Sequence, residues 1–138
     1  MARVLLDSSV WVSFFTKEDV NHKLAVGILR EIFSVQNTII IPNLVLCETL
    51  NVSYRIKPDP VYYATLRTKI KKLEPIVTVV AAGKDFWLEF APSEMPNVNL
   101  KTSDAIVYSY VKFFHIEEFR SFDKQLEKRV AHLGVSTE

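Results

Sequence analysis

The chain has 138 residues, 49% of them hydrophobic and 24% charged, with 17 lysines and arginines against 16 acids for a formal net charge of +1. That is the length and composition of one globular domain spanning 1–138, and it excludes a disordered or low-complexity chain. A single cysteine, Cys47, excludes an internal disulfide framework and a cysteine-built zinc site, and no apolar run approaches the ~18 residues of a membrane span.

Residues 2–6 read as a short buried strand running into Asp7-Ser8-Ser9, and 10–15 as a helical turn. Over 21–36, Leu24, Ala25, Ile28, Leu29, Ile32 and Phe33 recur at helical spacing behind Asn21, a plausible N-cap. The β-branched run 38–41 predicts a second strand closed by Pro42, followed by a helix over 43–56. Lys57-Pro58-Asp59-Pro60 breaks the chain. Asp59 can cap and Pro60 fits a first helical position, which predicts a helix to about residue 73. A third strand over 76–80, a short helix over 84–90, a loop over 91–99 with Pro92 and Pro96, and a helix over 102–114 follow. Residues 116–120 predict a fourth strand and 124–133 a last helix stopped by Gly134, with a short final strand after it. Trp11, Trp87, Phe86 and Phe90 read as core, and Cys47, which has no redox partner, as buried filler. Strands alternating with helices imply an α/β layer fold around a mostly parallel sheet.

Four acids stand where acids are unusual. Asp7 closes an apolar strand, Glu48 lies in a helix whose apolar residues wrap nearly all round, Asp104 is at the edge of an apolar helix face, and Asp123 follows the fourth strand. An ionised carboxylate among apolar groups costs several kcal/mol unless compensated. Segments leaving the C-terminal ends of parallel strands converge on one crevice, so the four can meet there. Two carboxylates 4 Å apart repel by about 4 kcal/mol at an effective dielectric of 20, and four together demand a cation. All-oxygen donors suit Mg²⁺ or Mn²⁺ and not structural zinc. Ser8, Ser9 and Ser121 are placed to donate hydrogen bonds to these carboxylates or to a phosphate. His22, His115 and His132 show no ligand spacing, and three glycines leave no glycine-rich phosphate loop.

Charge is unevenly spread. Between Asn51 and Lys72 lie Arg55, Lys57, Arg67, Lys69, Lys71 and Lys72 against one acid, Asp59. Such an arm on an otherwise acidic body can attract a polyanion such as RNA; the plainer reading is a solvated helix face.

The segments Leu5-Leu6-Asp7-Ser8-Ser9-Val10, Pro42-Asn43-Leu44-Val45-Leu46-Cys47-Glu48, Thr102-Ser103-Asp104-Ala105 and Ser121-Phe122-Asp123 together resemble the successive acidic motifs of PIN-domain ribonucleases, in particular the toxin subunits of VapBC-type toxin–antitoxin modules. The resemblance implies a three-layer α/β/α sandwich and divalent-metal-dependent cleavage of single-stranded RNA leaving 5′-phosphate and 3′-hydroxyl ends. It also implies a homodimer and a small antitoxin that blocks the acidic pocket. Asp7, Glu48 and Asp104 are then the first choice as metal ligands, with Asp123 holding a second ion or the attacking water. Two departures stand out: 116–120 is more polar than the family's usual apolar strand, and Ser121 stands where a threonine is common. The rival function is a catalytically weak PIN-fold module that binds RNA or protein. An aspartate as early as Asp7 interrupts any signal-peptide core, so a cytoplasmic location without membrane contact is expected.

Overall fold

The computed structural model describes residues 2–137; Met1 and Glu138, the ends of the expected 1–138 domain, lie outside them. Four short strands form one sheet: β1 (Arg3–Leu6), β2 (Thr38–Pro42), β3 (Val77–Val80) and β4 (Glu118–Arg120), in the order β3-β2-β1-β4 with every described pairing parallel. The register sets Val4 opposite both Ile39 and Glu118, and Leu6 opposite Arg120. The central strands are apolar on both faces because helices cover both: Val4, Leu5, Leu6, Ile39, Ile40 and Ile41 are all buried.

Between β1 and β2 run α1 (Ser8–Phe15) and α2 (His22–Phe33); between β2 and β3 run α3 (Asn43–Ile56) and α4 (Pro60–Lys72). Between β3 and β4 lie α5 (Ala91–Glu94) and α6 (Thr102–Phe113), and α7 (Lys124–Ala131) follows β4. With the strand order β3-β2-β1-β4, the right-handed crossovers that parallel strands take place α1–α4 on one face of the sheet and α6 on the other, and α7 packs against α6. The chain therefore winds outward from β1 in both directions, and the switch point falls at the C-terminal end of β1, next to Asp7.

Several elements differ from expectation. The turn over 10–15 is a full two-turn helix starting at Ser8, since Asp7 supplies an extended N-cap residue. The loop over 91–99 is largely helical. A π-helical segment, Phe86–Phe90, runs straight into α5 and a 3₁₀ turn, Met95–Asn97, and both prolines sit in first turns, where a missing N–H costs nothing. Burial of Ala91 and Val98 holds this segment down. The expected final strand is reduced to one bridge, Glu118 to Ser136. Trp11 and Phe86 are core, but Trp87 is 38% exposed, its indole donating to the Ala82 carbonyl, and Phe90 is only half-buried. Cys47 is exposed and is not filler: it lines a shallow surface pocket with Tyr54 and Tyr63. No described helix is long and apolar enough to cross a membrane.

Candidate active site

Asp7 is held by backbone before its side chain is considered. Its N–H donates to the Arg120 carbonyl at 3.0 Å, extending the β1–β4 ladder by one rung, and its extended conformation turns the chain into α1. The residue is 8% exposed. Ser121 Oγ donates to Asp7 Oδ2 at 2.8 Å and Ser9 Oγ to the same atom at 3.3 Å. Ser9 Oγ also accepts from the Phe122 N–H at 3.1 Å, and Ser121 Oγ accepts from the Asp123 N–H at 3.0 Å. The two serines thus lock the turn after β4 onto the end of β1. Ser121 is itself anchored, its N–H donating to Glu127 Oε2 at 3.0 Å.

Glu48 comes from α3, which packs on α1. Ser8 Oγ donates to Glu48 Oε2 at 3.3 Å, while Oε1 is buried with no hydrogen-bond partner. Asp104 enters from the first turn of α6, where the helix dipole favours a negative charge. Asp123 is exposed and caps α7, its Oδ1 accepting from Gln125 and Leu126 N–H groups at 3.1 and 3.2 Å.

The charges of these residues act on one another. Burial pushes the Asp7 carboxyl up, against hydrogen bonds from Ser121, the Ser8 N–H and Ser9, and the charge of Asp104 pushes it further. Glu48 is raised by burial and then by Asp7 and Asp104, with the Ser8 bond opposing. Asp104 is raised by burial and by Asp123, and lowered by Lys101. The phenol of Tyr110, buried within reach of the Glu48 and Cys47 charges, is pushed up to about 12. The described ion pairs join Lys112, Arg120 and Lys124 to Glu94, Glu31, Glu118 and Glu127, so none of these pairs takes one of the four acids.

These carboxylates share a field without sharing a ligand sphere. Among the described residues, no three His, Cys, Asp or Glu side chains converge closely enough to hold a metal ion. Mutual repulsion between unneutralised carboxylates acts in that direction. The donor set nevertheless suits a hard divalent cation: it is all oxygen, buried at Asp7, outside the described ion pairs, and includes the orphaned Glu48 Oε1.

The basic arm lies elsewhere. Arg55 and Lys57 end α3, and Arg67, Lys69, Lys71 and Lys72 are on α4; all six are exposed. Lys101, just before α6, is the cation that acts on Asp104. Sequence reasoning passed over Lys101, and also Glu127, which positions Ser121. The latter had a signal: it falls beside Leu126 on the stripe of α7 that the core buries, where an acid needs a partner.

Fold and site together define a small parallel α/β domain with acids at the topological switch point. The chain matches the PIN domain family over residues 4–132, and it belongs to that family. It is 26% identical to ribonuclease VapC6 of Methanocaldococcus jannaschii over 141 aligned positions, covering 92% of each chain. Among solved structures it is similar to Mycobacterium tuberculosis VapC20, a sarcin–ricin loop cleaving toxin, with a TM-score of 0.74 at 18% identity over 91% of this chain and 93% of that one. It is also similar to VapBC2 of Rickettsia felis bound to a DNA fragment from its promoter, with a TM-score of 0.67 at 13% identity over 99% and 97%.

Proposed function

We propose that this protein is a Mg²⁺- or Mn²⁺-dependent endoribonuclease that acts as the toxin subunit of a toxin–antitoxin pair, as a homodimer, and is held in check by a small antitoxin protein. The observation that carries the reading is geometric: Asp7 is buried where the turn after β4 meets the end of β1, and the adjoining Ser8 bonds Glu48, whose Oε1 is buried and unpartnered. Similarity to a protein named as a ribonuclease supports the RNA substrate, and membership of the PIN family supports the metal.

Asp7, Glu48 and Asp104 would hold the ion, and Asp123 a second ion or a water. A bound divalent ion supplies a lowered water pKa and positive charge opposite the scissile phosphodiester. The chain's own residues set the stage. Ser9 and Ser121 fix Asp7 Oδ2 and so orient the whole carboxylate. Ser8 steadies one oxygen of Glu48 and leaves the other for a ligand. The cap bonds of Asp123 fix its carboxylate at the mouth, next to Asp104.

The test is to purify the protein free of any antitoxin and incubate it with structured RNAs under Mn²⁺, Mg²⁺ or a chelator. Cleavage with either ion, its loss under chelator, and 5′-phosphate product ends are expected. Equal cleavage in chelator, or no cleavage with any divalent ion, overturns the reading.

A further inference from the structure

Where α1 ends, α2 begins and α4 ends, the surface holds a groove of about 360 Å³. It is lined by the apolar Phe14, Phe15 and Leu73 and by Lys17, Lys69 and Lys72. The Tyr62 phenol donates to the Phe15 carbonyl at 3.3 Å and so ties α4 to the end of α1. Phe14 stands half-exposed, braced edge-on by Trp11 and Phe15. The three lysines are exposed, and none enters an ion pair among the described residues. Of the two acids after Lys17, Glu18 is exposed and Asp19 is occupied by Ser13 Oγ at 3.0 Å and the Asn21 N–H at 2.7 Å. His22 Nδ1 donates to the Ser13 carbonyl at 2.9 Å, which keeps its second ring nitrogen for another partner.

A partly exposed aromatic ring in a groove that three unpaired lysines also line matches a base flanked by phosphates. The groove is at the opposite end of α1 from Asp7, about 12 Å away at 1.5 Å per residue over eight residues. The acidic pocket itself repels phosphate, so a polyanionic substrate needs attraction from a neighbouring surface. We propose that this groove is a second contact for single-stranded RNA, in which a base stacks on Phe14 and the adjoining phosphates lie on Lys17, Lys69 and Lys72. The proposal rests on the nuclease reading above, and it adds Phe14, Lys17 and His22 to a surface that the basic arm alone did not reveal.

The test uses the full chain carrying Asp7→Asn, so that RNA is bound without being cut, and a labelled single-stranded oligoribonucleotide titrated across a range of salt. Adding Lys69→Ala and Lys72→Ala should flatten the slope of log affinity against log salt by about 1.4, which is about 0.7 for each phosphate that a lysine no longer neutralises. Adding Phe14→Leu should weaken binding by about 5-fold or more at unchanged slope. An unchanged slope in the double-lysine variant overturns the groove while leaving the nuclease reading intact. Displacement of RNA by polyglutamate, with no effect of Phe14→Leu, marks the groove as a protein-docking surface and also overturns the proposal. If the Asp7→Asn chain binds no RNA and the unaltered chain cuts none, the nuclease reading fails and the groove with it.

Discussion

The two ends of α1 carry opposite chemistry under opposite mechanical constraint. At the N-terminal end Asp7 is buried, tied by backbone to β4 and by two serines to the turn beyond it. Beyond the C-terminal end, Lys17 and the lysines of α4 are exposed and unpaired, on long side chains that water solvates. A buried charge is dictated atom by atom by its surroundings, whereas an exposed one is dictated only as to region. The acidic end should therefore respond sharply to single changes, and the basic end weakly to each and cumulatively to several.

The largest expected effect is on chemistry. Asp7→Asn or Asp104→Asn should lower ribonuclease turnover on the order of 10²–10³-fold, measured in metal-saturated cleavage assays. Near-normal turnover in both would erase the contrast between the two ends. Ser121→Ala should follow, costing about 10–100-fold in metal affinity or activity because Asp7 loses its shortest hydrogen bond; metal titration of the variant checks this.

Stability should move the other way. Asp7 is raised in the folded protein above its ordinary value of 3.8. Its contribution is fully present below that value and is lost as pH rises through the folded pKa. Metal-free Asp7→Asn protein should thus be more stable than the parent at neutral pH by about 0.5–2 kcal/mol. That advantage should shrink as pH falls toward 3.8 and reverse in sign once saturating Mn²⁺ is present, because only the parent gains the ion. Denaturant titrations at several pH values, with and without Mn²⁺, read all three outcomes. The smallest effect belongs to a pair distant from both ends: breaking Lys112–Glu94, a 2.8 Å bridge with one partner 36% exposed, should cost less than about 1 kcal/mol in the same titrations.

Most elements are legible in the sequence because local signals agree. Asp59 caps α4 with Pro60 in its first turn, and its carboxylate accepts from the Val61 N–H as that pattern predicts. The short helix expected over 84–90 is there, but the helical path of 91–97 is not legible. Its prolines suggest a loop, yet the helix there is held by burial of Phe86, Ala91 and Val98 against distant chain. Trp87 and Cys47 are exposed against expectation for a related reason: hydrophobicity says that a residue can be buried, not that a neighbour will arrive to bury it. The four acids could be named because a carboxylate amid apolar residues is anomalous in one dimension. Their partners could not, since the Ser121–Asp7 contact spans 114 positions and nothing local announces it.

By itself, the sequence determined an alternating α/β chain, the Asp59 cap of α4 but not a side-chain cap at Asn21, and which charges sit in apolar company, since propensity, periodicity and desolvation are properties of short segments. Only the tertiary structure decided which carboxylates feel one another, that Glu127 anchors Ser121, and that the lysines of α4 join Lys17 around Phe14. Those facts depend on the order in which the strands pair, and pairing brings together residues that no local rule relates.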